Sequence, residues 1–288
     1  MTHKNPNDAF SFPNGIGSEE AKISPVPLDS PPPNPMGGNT LVVDSSNPQF
    51  YSRPSAALKE AAPNDQVFVR AGIYEDRIFF VDGSIQLIGA GRDHVQIFNR
   101  RSGTLYLQQV QSGRIEGITF RYLGSDQHSP INILDSTCTI KGCRAMEGIL
   151  SGIVIYGSQC RPTLLENEVC RNRESGIFSF AGAQPYLTKN RCFGNYHFGI
   201  AVRDDGTRPD IVQNICTQNL LSGILLFYSA KALLLNNRCQ DNAHWGLVTT
   251  PECQTSPDRD QLSEANILTS NPRGSMVVTT EPLAEIGR

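Results

Sequence analysis

Two adjacent carboxylates beside a cation, Arg203-Asp204-Asp205-Gly206, form the densest polar constellation of the chain, with Arg208 and Asp210 close behind. Paired carboxylates are the basic equipment for acid and base work on a glycosidic bond, and the arginine would neutralise or orient an acidic group. His197, a few residues upstream, is the candidate partner of Asp204 in proton transfer. Large apolar residues recur around this cluster at Tyr156, Phe178, Phe180, Leu225 and Phe227. They are candidate ligand-binding residues, since aromatic surfaces take sugar rings or anchor peptides. The polar run also has a plainer reading, because Asp-Gly is a turn signal and an Arg–Asp pair can simply hold that turn. Vicinal Asp pairs occur in glycosidic-bond-cleaving enzymes, but no asparagine-x-aspartate, glycine-histidine-glycine or arginine-x-lysine run accompanies this one. No metal or cofactor is expected. There is no CxxC pair, and Cys138 and Cys143 have no histidine nearby. His197 and His244 share one repeat position, but a coil separates them, about 10 Å at strand spacing, too far to share a metal.

The elements that must hold these residues are read from a repeat. Gly89, Gly117, Gly142, Asn167, Asn190, Asn214 and Asn237 each follow, two residues on, Leu87, Ile115, Ile140, Leu165, Thr188, Val212 and Leu235. A second mark, glycine followed by an apolar run, begins at Gly152, Gly176, Gly199, Gly223 and Gly246. A period of this size signals a solenoid whose units bury their apolar faces only by stacking. The apolar runs are too short for helices, so each repeat supplies short parallel strands, about eight coils in all, stacked about 4.8 Å apart. Equivalent positions then form columns. Asn167, Asn190, Asn214 and Asn237 make one, and Asn172, Asn195, Asn219 and Asn242 a second. Side-chain amides stacked in this way hydrogen-bond coil to coil, which is a structural role. Val169, Cys192, Cys216 and Cys239 form a third column, inward and apolar.

Alternation after each glycine puts the first and third residues inward and the second and fourth outward. The outward columns are Val154, Phe178, Ala201, Leu225, Val248 and Tyr156, Phe180, Arg203, Phe227, Thr250. An aromatic outer face on this scale calls for an occupant. An arm of the same chain, a protein or apolar ligand, and a stack of sugar rings are the three candidates.

Ahead of the repeats, Ser55-Ala-Ala-Leu-Lys-Glu-Ala-Ala62 reads as a helix between Pro54 and Pro63, suited to capping the open end of the first coil. The run Arg53 to Glu75, with Pro63-Asn64-Asp65 and Ala71-Gly72-Ile73-Tyr74, resembles the opening of pectate-lyase-like β-helix proteins with two substitutions. The later repeats are similar to the generic parallel β-helix unit of polysaccharide lyases, hydrolases and epimerases and of certain F-box proteins. The resemblance spans roughly Thr40 to Thr250. It implies an all-β, right-handed parallel β-helix with an amino-terminal capping helix, and it leaves the activity open because one scaffold hosts unrelated sites.

The expected organisation is a Pro-rich flexible arm at 1–38, a β-helix domain at 39–250 and a carboxy-terminal cap or tail at 251–288. The arm, with Ser30-Pro-Pro-Pro-Asn-Pro35, is either a plain extended tail or a proline-recognition ligand. A net charge of −3 over 288 residues gives no electrostatic reason to propose nucleic acid. No apolar run is long enough for a membrane span, and the opening residues lack a charged-then-apolar leader, which reads as cytoplasmic. The eight cysteines are accordingly expected as free thiols. Two functions remain. One is a non-catalytic binding solenoid presenting its sheet face to a protein partner or an extended polymer such as a polysaccharide. The other is a polysaccharide lyase, glycoside hydrolase or epimerase using Arg203, Asp204, Asp205 and His197.

Overall fold

The computed structural model describes residues 30–280. Residues 1–29 of the expected arm and 281–288 of the expected cap or tail lie outside them. The described chain winds as a right-handed parallel β-helix with three sheets of ten, nine and eight strands. The repeat pattern led to about eight coils, and the sheets hold eight to ten rungs. A typical coil supplies Thr163–Leu165, Glu168–Cys170 and Ile177–Phe180, one strand to each sheet. The next supplies Tyr186–Thr188, Arg191–Phe193 and Ile200–Arg203 in direct register, with Leu164 opposite Leu187, Val169 opposite Cys192 and Ile177 opposite Ile200. The inward files of the three sheets fuse into one continuous apolar core.

The expected helix forms over Pro54–Glu60. It ends two residues early, where Ala61 turns extended while its N–H still reaches Ala57 O at 3.0 Å. Ala57 is fully buried, and the helix packs on strands Thr40–Val43, Gln66–Val69 and Ile78–Val81.

Both asparagine columns exist and are buried. Each Nδ2 donates to the Oδ1 one coil on, as from Asn167 to Asn190 at 2.9 Å and from Asn190 to Asn214 at 2.9 Å. Each Oδ1 also accepts the preceding coil's backbone N–H, as Asn214 does from Asn190 at 3.0 Å. Two details of the sequence reading change. The left-handed residue at this corner is the one before each asparagine: Glu166, Lys189, Gln213 and Asn236 have φ of 54–59°. Gly117 and Gly142 belong to that left-handed column, since Lys141 pairs with Leu165 and so sets Gly142 beside Glu166. The first ladder therefore begins on Cys143, whose N–H donates to Asn167 Oδ1 at 2.9 Å. The ladders also run one rung further than the repeat showed, to Asn266 and Asn271.

The glycines ahead of the strands that begin at Ile153, Ile177, Ile200 and Ile224 are demanded by space. A Cβ on Gly223 would lie 2.6 Å from Cys239 Cβ and 2.6 Å from Gly246 O. Cys192, Cys216 and Cys239 stack inward with no exposed surface, and all eight cysteines are buried free thiols. Past Thr250 the coil continues. Strand Gln254–Ser256 extends the ten-stranded sheet and Gly274–Val278 the nine-stranded sheet, with a short helical stretch from Arg259 to Ala265 between them. No described helix is long and apolar enough to cross a membrane.

Candidate functional site

The nine-stranded sheet carries the outward columns, and its strands alternate as predicted. Ile153–Tyr156 and Ile177–Phe180 bury their first and third residues and leave the second and fourth part-open. Upright aromatic rings follow one another along this face. Phe79 stacks on Tyr106 with centroids 4.9 Å apart, and Phe79 is 53% exposed. The Tyr106 and Tyr156 hydroxyls meet at 2.8 Å across the intervening coil. Tyr156 stacks on Phe180 at 5.4 Å, and Phe180 on Phe178 at 4.9 Å. Burial and the bond to Tyr106 raise the Tyr156 hydroxyl above its ordinary pKa.

Beside this track lies a groove of about 730 Å³. Its floor is Phe178, Ala201 and Leu225, where the small Ala201 leaves a notch between two larger neighbours in the column. The turn residues ahead of each strand form one wall, including Glu174, Tyr196, His197 and Leu221. Arg203, Phe227 and Tyr228 stand on the other side. The Arg203 guanidinium lies 5.5 Å from the Phe178 ring centre and 5.1 Å from that of Phe180, within cation–π range.

The candidate residues divide. Arg203, His197, Phe178, Leu225 and Phe227 come together around the groove, while Tyr156 and Phe180 belong to the adjoining track. Asp204 and Asp205 do not line the groove. Asp204 is a turn residue at φ 78°. Its carboxylate sits 3.1 Å from Arg203 Nε and accepts the Ala181 N–H at 3.3 Å. Asp205 is exposed on the same turn. His197 precedes the strand Ile200–Arg203 and Asp204 follows it, so the sheet's width, on the order of 13 Å at about 3.3 Å per residue, separates the presumed proton-transfer pair. Leu225 and Phe227 point outward but are only 1% and 4% exposed. With Phe198, Ala201 and Val248 they make a second small core outside the coil, which Trp245 and Val277 help to cover. They support the groove rather than offer open surface.

Three residues of this face, one on the groove and two on the track, were not singled out from sequence. Glu174, whose Oε2 accepts the Ser151 hydroxyl at 3.3 Å, is the carboxylate that lines the groove. It shares the repeat position of His197, and that position faces the groove. Phe79 and Tyr106 sit on rungs that lack the glycine mark, though Leu105-Tyr-Leu-Gln alternates as an outward strand does. Among the described residues no group of three or more His, Cys, Asp or Glu is placed to hold a metal ion.

No curated protein matches this chain. The crystal structure of the Agl-KA catalytic domain is similar over 75% of this chain and 63% of its own, less than two thirds of that domain, at 10% identity and a TM-score of 0.31. The model of the right-handed beta helix region matches residues 104–282. With stacked rungs, inward files and amide ladders running through that span, the chain belongs to the right-handed beta-helix family.

Proposed function

We propose that this protein is a non-catalytic binding solenoid that holds an extended polysaccharide along the outward face of its nine-stranded sheet. The observation that carries the reading is the groove beside the aromatic track, a long surface with an apolar floor and polar walls. Solenoids commonly present extended surfaces to extended partners. Sites for sugars combine apolar ring surface with a few placed polar groups, and here Glu174, His197 and Arg203 are those groups. Among the described residues one carboxylate, Glu174, lines the groove, and this supports binding over turnover. Hydrolysis by the usual two-carboxylate route needs a second acid across the cleft, and the described lining of the groove holds no second carboxylate.

Retention on insoluble polysaccharides, paired with reducing-end and ultraviolet product assays, tests this. Retention without product, weakened by Phe178→Ala, is the expected result. Product formation that Glu174→Gln abolishes would replace the reading with an enzymatic one. A protein that no polysaccharide retains would end it.

A further inference from the structure

We infer that the polymer is uncharged: a neutral polysaccharide, with one sugar ring seated over Ala201. This rests on the reading of the face as a polysaccharide-binding surface. Along the seven rungs from Ile78–Val81 to Ile224–Phe227, the outward strand positions carry one charged side chain, Arg203. That charge is answered from within by Asp204 at 3.1 Å. The remaining ionic group on the groove wall besides His197 is Glu174, which is negative. Asp205 adds a second negative charge on the turn beyond Arg203. Arg77, whose guanidinium lies 5.5 Å from the Phe79 ring centre, is a cation at the far end of the track.

An acidic polysaccharide brings a carboxylate with each sugar. Along this face such groups would meet Phe178, Ala201, Leu225 and Glu174 with no cation of their own. Charges taken from water without partners are costly, and like charges set side by side repel. A neutral sugar meets neither penalty. The groove over Ala201 has the part-open Phe178 ring at its side for the apolar surface of a sugar, with Leu225 buried as support beneath. The sugar's hydroxyls can donate to Glu174 and accept from Arg203, both fixed by other contacts: Glu174 by Ser151, Arg203 by Asp204 and two aromatic rings. Donors and acceptors held in place in this way lose little freedom on binding.

The test is calorimetric titration of the full chain with neutral hexasaccharides (cellohexaose, xylohexaose, laminarihexaose and maltohexaose) and with hexagalacturonate, in low and high salt. At least one neutral oligomer is expected to bind with affinity insensitive to salt, and hexagalacturonate to bind at least about tenfold more weakly. Ala201→Trp fills the notch and is expected to cut neutral binding by about tenfold or more, with the denaturation midpoint confirming that the variant folds. Should the tryptophan not be accommodated, Ala201→Leu makes the same measurement. Tighter, salt-sensitive binding of hexagalacturonate overturns the neutral assignment and leaves the polysaccharide reading standing. Neutral binding unmoved by a folded Ala201 variant overturns the seat. Binding of none of the oligomers overturns the inference, and if insoluble polysaccharides also fail to retain the protein, the underlying reading falls with it.

Discussion

Replacing Asn214 with leucine tests what holds the coils in register. The side chain is fully buried, and leucine keeps its branched heavy-atom skeleton with bulkier methyl groups, so the change removes hydrogen bonds and adds some overpacking. Asn214 Oδ1 accepts the Asn190 backbone N–H at 3.0 Å and Asn190 Nδ2 at 2.9 Å. Its Nδ2 donates to Leu187 O at 2.8 Å and Asn237 Oδ1 at 3.1 Å. Leucine leaves the Asn190 N–H without its acceptor in a dry interior, which costs about 1–3 kcal/mol. The Asn190 and Asn237 side chains keep other bonds, to Leu164 O and Ile211 O, so each loses only a net bond, about 0.5–1.5 kcal/mol. Leucine's greater apolarity offsets part of this, and the expected loss is about 2–4 kcal/mol. Equilibrium urea unfolding followed by circular dichroism measures it as a lower midpoint. A lower slope as well would report that coils on either side of the substituted rung no longer unfold together. A midpoint equal to that of the parent would refute the claim that the amide ladder is structural.

Gly223→Ala should lose about 1–3 kcal/mol by overpacking, since the new methyl would press on Cys239 Cβ and Gly246 O at 2.6 Å; differential scanning calorimetry reads it as a lower Tm. Gln213→Gly should do the opposite, because relief of a left-handed residue outweighs the added chain entropy by up to about 1 kcal/mol, and Gln213 sits at φ 59°. A lower midpoint for that variant would show the corner is not strained. The thiols set an alkaline limit: burial pushes Cys138 and Cys143 up to about 12 and Cys160 to about 11, from an ordinary 9.0. The folded state then keeps protons that the unfolded chain gives up, so this contribution is whole below pH 9 and is lost as pH rises from there toward 12. Native thiols should accordingly label slowly, and all eight should label after denaturation without reductant; prompt native labelling would refute their burial. Asp204→Asn with Asp205→Asn should lower stability by no more than about 1 kcal/mol, in keeping with a half-exposed ion pair. Polysaccharide binding should survive in the folded fraction, and its abolition would return Asp204 and Asp205 to the site.

The fold was legible because a solenoid repeats its physical constraints at every rung. Asn190, Cys192 and Gly199 recur one coil later as Asn214, Cys216 and Gly223, each forced by contact with the copy beside it. The end of the ladder was not legible: the step from Asn237 to Asn266 is 29 residues, and the helical stretch between them hides the period. The outward columns could be read from alternation, and Arg203 and Phe178 from those columns line the groove. What covers an outward residue could not be read, so Leu225 and Phe227 looked open although Trp245 and Val277 lie over their cluster. Asp204 and Asp205 lie off the groove lining for a related reason. Composition marks them as chemistry, but a residue's position on a strand or just beyond it decides which surface it reaches, and Asp204 falls one step past the strand Ile200–Arg203.

The two amides of each coil stand five residues apart in every rung, from Asn167 and Asn172 to Asn266 and Asn271. The step from one coil to the next, by contrast, ranges from 23 to 29 residues. One corner of the solenoid therefore keeps time while the rest of the circuit is free to lengthen. Such a molecule can acquire new loops by insertion, even a whole helical stretch, without losing the alignment of its rungs. The Arg203 and Tyr228 side of the groove lies on the free part of that circuit, whereas the Glu174, His197 and Leu221 wall keeps a fixed step of two residues past the second amide. Descendants of this chain can thus remodel what they hold while inheriting the same backbone, and a lineage of solenoids built on this corner would diverge in ligand long before it diverged in fold.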